Sequence, residues 1–195
     1  MFVLYLLAVV LGRVSIPLYR NASGVEDLGH LVVPSLVGLL GRRQAEYVFW
    51  LGTLPLELFF VVIVLVVLVT GKGIRLGIAL YAAYFLHWLF LHTTVLPPPD
   101  DHVWRFPEGV FTLGQPHPRD FWFSGHTANA TLIALAAAGR RPWVAALAWA
   151  HVAFQILLVL SVRTHYTIDV LGGLFVAYVI HQVSLDLAAR LVRTP

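Results

Sequence analysis

No cysteine occurs in this chain, and charged residues are scarce. The absence of cysteine excludes disulfide bonds, cysteine-ligated zinc and catalysis by a thiol. Asp, Glu, Lys and Arg make up only 12% of the residues, whereas soluble domains usually carry about 25%. The basic residues form short scattered pairs rather than runs with interleaved aromatics, which argues against a nucleic-acid partner. Most of the surface is therefore expected to face lipid.

Apolar residues are what the chain has in abundance, with 59% hydrophobic residues and a mean hydropathy of +0.81. A membrane-spanning helix needs about 20 mostly apolar residues. Six segments are predicted to span: 1–18, 47–70, 76–96, 122–138, 142–162 and 167–187. The first lacks a basic leader and a cleavage site, which favours a span over a removed signal peptide. Residues 25–40 are less hydrophobic and are predicted to lie in the interface or to dip into the bilayer at Pro34. The predicted fold is all-α, a single polytopic domain of residues 1–195 with six transmembrane helices in one bundle.

The charges of the connecting segments predict the orientation. One side would carry short, basic junctions with a single nearby acid, Asp186. Its basic residues are Lys72, Arg75, Arg140, Arg141, Arg190 and Arg193. The other side mixes arginines with most of the acidic residues in longer segments. Since cytoplasmic loops are enriched in Lys and Arg, the basic side is predicted to be cytoplasmic, and two histidine-containing clusters then lie on the extracytoplasmic or lumenal face.

The later cluster contains His165 and Asp169, four residues apart and therefore on one face of a helix. The carboxylate can accept a hydrogen bond from one imidazole nitrogen and leave the other as a nucleophile. Asp169 would also stabilise the positive charge on a phosphorylated His165, by the logic of a catalytic triad. Arg163 is a candidate for binding the non-bridging oxygens of a phosphate.

The earlier cluster, Ser124-Gly125-His126-Thr127, precedes an apolar run and is predicted to begin a helix. The N–H groups and dipole of a helix N-terminus favour an anion such as phosphate, and Gly125 permits its close approach. His126 could protonate a departing lipid alkoxide and then deprotonate the incoming hydroxyl. These groups would neutralise the developing charge without a metal or a cofactor.

Other intramembrane polar residues have a structural interpretation as well as a functional one. His92 is a candidate for lining the headgroup pocket, whereas its spacing from His87 makes joint metal ligation a poor fit. Glu57 is equally compatible with a functional acid and with a structural one. For His151 and Gln155, hydrogen bonding between helices is the better interpretation.

Together the clusters resemble the phosphatidic-acid phosphatase type 2 superfamily, and most closely its sphingomyelin synthase branch, which includes inositol phosphorylceramide synthases. The resemblance is carried by two stretches, Asp120-Phe121-Trp122-Phe123-Ser124-Gly125-His126-Thr127 and His165-Tyr166-Thr167-Ile168-Asp169-Val170. Weaker similarities are Asp27-Leu28-Gly29-His30 with Pro34, and residues 93–98. The superfamily's first motif, a Lys followed six residues later by Arg-Pro, is absent, which favours the synthase branch.

The resemblance implies a six-helix enzyme that transfers a phospho-alcohol headgroup through a phosphohistidine. It implies His165 as nucleophile, Asp169 as its partner, His126 as acid and base, and a site or supporting role for Asp120. A glycerophospholipid donor and a lipid-alcohol acceptor, ceramide or diacylglycerol, would be the partners within the bilayer. Two alternatives stay open: a lipid phosphate phosphatase, in which water attacks the intermediate, and a proton-coupled transporter that uses the intramembrane ionisable residues.

Overall fold

The structure is a computed structural model that describes residues 27–71, 73–91, 97, 99, 102–103 and 123–193. Seven α-helices occur in this part of the chain, and no strand is found there. They are α1 (Leu28–Val32), α2 (Leu36–Leu40), α3 (Arg42–Thr70), α4 (Ile74–Leu91), α5 (Gly125–Ala137), α6 (Pro142–Ser161) and α7 (Thr167–Arg193).

Local sequence signals account for several helix ends. Gly71 ends α3 in the left-handed conformation with φ 66°, which glycine adopts without steric cost. Ser124 caps the N-terminus of α5, and Pro142 occupies the first turn of α6, where its missing N–H is harmless. Pro34 lies between the two five-residue helices α1 and α2, so the segment predicted to be interfacial contains two short helices rather than a span.

Three helices are long and apolar enough to cross a membrane: Arg42–Thr70, Pro142–Ser161 and Thr167–Arg190. They correspond to the predicted spans 47–70, 142–162 and 167–187. Large apolar side chains on their outer surfaces are exposed, for example Leu68 at 76% and Phe175 at 66%, as expected where lipid replaces water. The chain is therefore a membrane protein built from apolar helices.

The predicted count of six spans is not confirmed. The segment 1–18 lies outside the described residues. The apolar stretch of α4, Ile74–His87, is shorter than the three spans. Helix α5 has 13 residues, which corresponds to about 20 Å against a hydrocarbon core of about 30 Å.

Helix α5 lies at the centre of the bundle and packs against α4, α6 and α7. Most of its buried side chains are small: Thr127, Ala128, Ala130, Thr131, Ala134 and Ala137. Small residues let helix backbones approach closely in a membrane protein. The helix predicted as a short span is therefore the core around which the longer helices are arranged, and its N-terminus begins the candidate site.

Candidate active site

The turn between α6 and α7 presents His165. After α6 ends, Arg163 adopts a left-handed conformation with φ 59°, which costs on the order of 1–3 kcal/mol for a residue other than glycine. Both the backbone N–H and the hydroxyl of Thr164 donate to the carbonyl of Val159, at 3.0 and 3.2 Å. The reversed chain direction places His165 directly before α7, with only 3% of its surface exposed.

Asp169 lies in the first turn of α7 and faces His165. Its Oδ2 is 3.6 Å from His165 Nδ1, just beyond hydrogen-bond length, and it accepts the backbone N–H of Tyr166 at 2.9 Å. The carboxylate thus reaches back to the residue before the helix, as the acidic residue of a capping box does. Asp169 Oδ1 and His165 Nδ1 make no hydrogen bond within the described part of the chain. The two side chains that were predicted to act together therefore lie close to each other, and their catalytic role stays a prediction.

Ser124 joins the two clusters. Its backbone N–H donates to the carbonyl of Asp169 at 2.8 Å, and its Oγ accepts the N–H of Thr127 at 3.2 Å. The predicted helix start at Ser124 is confirmed, and the side chain is fully buried. The N-terminus of α5 therefore lies against the first turn of α7, and the motifs that were predicted to act together are adjacent through their backbones.

Two glycines of α7 make this approach possible. A Cβ on Gly173 would lie 2.7 Å from the carbonyl oxygen of Ser124, and one on Gly172 would lie 3.1 Å from Phe123 Cβ. Neither gap admits a methyl group without displacement of the neighbouring chain. The sequence reasoning missed this pair, although adjacent glycines directly after His-x-x-x-Asp are a visible sign of close backbone packing.

His126 follows Ser124 by two residues and is partly buried. Its ring centroid is 5.6 Å from that of Phe49 on α3. Phe49 is itself buried in a cluster with Val159, Val162 and Val170, which surrounds the turn that carries His165. His126 therefore lies on the first turn of α5, next to the residue that contacts Asp169. Gly125 lies on the same turn, where the first N–H groups of a helix lack intrahelical partners.

His87 on α4 is a site residue that the sequence reasoning did not assign. Its Nδ1–H donates to the carbonyl of Phe123 at 3.0 Å, and its ring meets the Phe123 ring edge-on, with 5.1 Å between centroids. A Cβ on Gly125 would lie 3.8–3.9 Å from the His87 ring. Phe123 has a positive φ of 31°, so the hydrogen bond holds a strained residue directly before the helix. A lone histidine in an apolar helix was the available signal.

Arg163 is placed beside the site by contacts with α1. Its Nη2 donates to the carbonyls of His30 and Val33, at 2.9 and 3.1 Å. The guanidinium thereby binds the C-terminal end of a short helix. Its predicted contact with phosphate stays a prediction.

Two further predicted residues, His92 and Asp120, lie outside the described residues. Within the segment between α4 and α5, the structure describes positions 97, 99, 102, 103, 123 and 124. Two of these contact the turn between α6 and α7: the Tyr166 hydroxyl donates to the Pro97 carbonyl, and the Val103 N–H donates to the Val162 carbonyl, each at 3.0 Å. Within the described ranges, no group of three His, Asp or Glu residues could hold a metal ion.

Comparison with known families connects this geometry to a class of enzymes. Residues 119–185 match the family described as PAP2 superfamily C-terminal, a range that contains both clusters and the glycine pair. No curated protein and no solved structure matches the chain. The match supports the phosphatidic-acid phosphatase type 2 superfamily, whose members are generally lipid phosphatases or phosphotransferases, and does not single out the sphingomyelin synthase branch.

Proposed function

We propose that this protein is a membrane lipid phosphotransferase that moves a phospho-alcohol headgroup from a glycerophospholipid to a lipid alcohol, ceramide or diacylglycerol. The observation that carries the proposal is the junction of the two clusters, in which Ser124 N–H binds the Asp169 carbonyl at 2.8 Å while Asp169 Oδ2 lies 3.6 Å from His165 Nδ1. The junction brings Asp169, which faces the buried His165 imidazole, against the N-terminus of α5. A helix N-terminus favours a phosphate anion and an imidazole can act as a nucleophile, which supports phosphoryl transfer to nitrogen.

The first half-reaction forms a nitrogen–phosphorus bond. His165 carries its proton on Nδ1, facing Asp169, so that Nε2 has the lone pair that attacks phosphorus. The bond from phosphorus to the diacylglycerol oxygen breaks, and His126 donates a proton to that oxygen. The phosphorylated imidazole of His165 now carries a positive charge, which the Asp169 carboxylate stabilises.

The second half-reaction reverses the first with another alcohol. Neutral His126 takes the proton of the acceptor hydroxyl, whose oxygen attacks phosphorus, and the nitrogen–phosphorus bond breaks. The proton therefore returns to His126 and His165 regains its neutral state. The first-turn N–H groups of α5 at Gly125 and His126, together with Arg163, are assigned to the non-bridging phosphate oxygens. His92 and Asp120 are assigned supporting roles at the headgroup.

Lipid phosphate hydrolysis is the second candidate function, because the family match supports phosphatases and phosphotransferases alike. His165 would again become phosphorylated, but from a lipid phosphate monoester its phosphoryl group would carry no alcohol, and water would replace the acceptor hydroxyl. The two reactions differ in whether a second lipid occupies the space next to phosphorus. A proton-coupled transporter, the third possibility from the sequence, would produce neither product.

The test is product analysis with purified protein in lipid nanodiscs. Phospholipid donors labelled with ³²P in the headgroup phosphate are incubated with ceramide or diacylglycerol in EDTA, and the products are separated by chromatography. The proposal predicts a new labelled phospholipid from wild type and none from His165→Ala. His181→Gln, a histidine change in the middle of α7 and about 20 Å along the helix from its N-terminus, should retain transfer. Labelled water-soluble phosphate or phospho-alcohol alone would establish the phosphatase instead, and no labelled product would reject both reactions.

We also propose that the site faces away from the cytosol, on the basis of the basic junctions at the opposite end of the helices. Since the chain has no cysteine, single cysteines can report this. Ser35→Cys lies near the site end, and Gly139→Cys lies in the turn between α5 and α6. In intact cells an impermeant maleimide should label the former, and label the latter only after permeabilisation. The reverse pattern would contradict the orientation.

A further inference from the structure

Helix α1 is bound to the start of α7 through one carboxylate. Asp27 Oδ1 accepts the backbone N–H of Thr167 at 2.9 Å. Asp27 Oδ2 accepts the Thr167 hydroxyl at 2.7 Å and the backbone N–H of His30 at 3.1 Å. A single side chain therefore caps α1 and holds the first residue of α7, although 140 positions separate Asp27 from Thr167.

Thr167 completes the contact by returning a hydrogen bond to α1. Its Oγ1 accepts the N–H of Gly29 at 2.8 Å while donating to Asp27. A Cβ on Gly29 would overlap this oxygen, so glycine is needed for the approach. The hydroxyl is used once as a donor and once as an acceptor.

His30 contacts the nucleophile's own peptide group. Its Nε2–H donates to the carbonyl of His165 at 2.9 Å, and its ring lies 5.5 Å from that of Tyr166. In the opposite direction, Arg163 Nη2 donates to the His30 carbonyl at 2.9 Å. The backbone is thus held by α1 at His165 and again at Thr167, on both sides of Tyr166.

We call the hydrogen bonds of Asp27, Gly29 and His30 with His165 and Thr167 the clamp. The turn that these bonds hold has a strained backbone. Arg163 has φ 59°, and the separation of 3.6 Å between His165 and Asp169 depends on the peptide groups between them. A misplacement of about 1 Å can cost about 10²-fold in rate. Residues outside the turn that bind its peptide groups can therefore change the catalytic rate without contacting the substrate.

We propose that Asp27, His30 and Thr167 are positioning residues for the reaction, fixing the backbone of His165–Thr167 so that the imidazole meets both Asp169 and phosphorus. The proposal rests on the proposed function of His165. The three residues act through the turn between α6 and α7, and the segment 27–33 is part of the active site's support although it lies far away in sequence.

Two matched pairs of variants test this. His30→Phe removes the donor to the His165 carbonyl, whereas His30→Gln can present an N–H near the position of Nε2. Thr167→Val removes the hydroxyl at nearly constant volume, whereas Thr167→Ser keeps it. Ser35→Ala is the control, because the Ser35 hydroxyl accepts the N–H of Gly38 and caps the neighbouring helix α2 rather than holding the turn.

The expected result is a fall in kcat of about 10- to 100-fold for the Phe and Val variants, with KM for the donor within about twofold and most of the loss recovered in Gln and Ser. Ser35→Ala should have the kcat of wild type. A purely structural role would lower the melting temperature and the yield of folded protein without a selective fall in kcat at constant KM. Wild-type kcat in the Phe and Val variants, or a change in KM alone, would overturn the inference.

A second measurement separates this inference from the proposed function. The rate of carbethoxylation of His165 by diethyl pyrocarbonate, followed by mass spectrometry, needs no turnover. If wild type yields neither transfer nor hydrolysis, the proposed function fails. The carbethoxylation rate then tests by itself whether Asp27, His30 and Thr167 position His165. It should rise several-fold in His30→Phe and Thr167→Val and stay constant in Ser35→Ala. An unchanged rate in all variants would reject the clamp even if wild type is active.

Discussion

The backbone N–H of Ser124 donates a hydrogen bond to the backbone carbonyl of Asp169, with 2.8 Å between nitrogen and oxygen. This contact joins the first turn of α5 to the first turn of α7, and it needs no particular side chain at either position. The hydrogen bond does need the backbones of the two helices to lie close together. Two peptide groups can meet across a helix interface only where the intervening side chains are absent or small. The site therefore depends on packing as much as on its histidines.

The first prediction concerns that packing. Gly173→Ala places a methyl group 2.7 Å from the carbonyl oxygen of Ser124, so α5 must move away from α7. We expect a loss of about 1–3 kcal/mol in stability and of about 10²-fold in turnover, measured by thermal unfolding and by the labelled-donor assay. Gly139→Ala is the matched control, because no atom of the described residues beyond its chain neighbours lies within 4 Å of its added Cβ. Equal activity of the two variants would show that the close approach is dispensable.

The second prediction concerns His87. His87→Leu removes the donor to the Phe123 carbonyl, and an unpaired buried polar group costs about 1–3 kcal/mol. Because Phe123 directly precedes the cap of α5, we expect turnover to fall about tenfold or more. His87→Asn can place an N–H near the position of Nδ1 and should recover part of the activity. If the Leu and Asn variants turn over at the same rate, His87 has a different role from the one inferred.

The third prediction concerns the carboxylate of Asp169. Asp169→Asn keeps the size of the side chain but removes the charge that stabilises a phosphorylated imidazole, and it can favour the wrong tautomer of His165. By analogy with the histidine–aspartate pair of a serine protease, kcat should fall by about 10³- to 10⁴-fold, with donor KM little changed. Asp186→Asn, an exposed acid near the other end of α7, is the control. Full activity of Asp169→Asn would remove the pair from the mechanism.

The fourth prediction concerns pH and His30. Burial lowers the pKa of His30 below its ordinary value of 6.5; the hydrogen bond to His165 and the charge of Asp27 oppose the shift, and the charge of Arg163 adds to it. The unfolded chain then binds more protons than the folded one between the two pKa values, so stability rises with pH there. The contribution of neutral His30 is complete above about pH 6.5 and is lost as the pH falls through the folded-state pKa.

Thermal unfolding at about pH 7.5 and about pH 5 measures this effect. The drop in melting temperature between the two should be smaller in His30→Gln than in wild type, because glutamine does not titrate. An equal or larger drop in the variant would contradict the assignment. Comparing two proteins that differ at a single histidine removes the contribution of the other histidines, which titrate in both.

Part of the site could be predicted from sequence because it depends on local rules. The proximity of His165 and Asp169 was predicted from a shared helix face, whereas His165 lies in the turn before α7 and Asp169 in its first turn reaches back toward it. Ser124 before an apolar run is a normal cap signal. Hydropathy likewise identified the three longest spans. The span predicted over 122–138 is not confirmed. An alanine-rich helix buried in protein, such as α5, and a helix exposed to lipid can have similar hydropathy while differing in length and surroundings.

The contacts that assemble the site had no local signal. The hydrogen bonds from Thr167 to Asp27 and from His87 to Phe123 join residues far apart in sequence, so no periodicity predicts them. The left-handed conformations of Phe123 and Arg163 occur at residues other than glycine, where sequence gives no marker. Both are held by packing and by hydrogen bonds from other helices, which exist only once the bundle has formed.

The account's central claim, that His165 becomes phosphorylated, is tested most directly by trapping the intermediate. Wild type is mixed with a donor labelled with ³²P in its headgroup phosphate, quenched in alkali within one turnover, and digested for peptide mapping. We predict an alkali-stable, acid-labile label on His165 that is absent from His165→Ala and disappears when the acceptor lipid is added before quenching. Label on another residue, or product formed by His165→Ala at the wild-type rate, would contradict the claim.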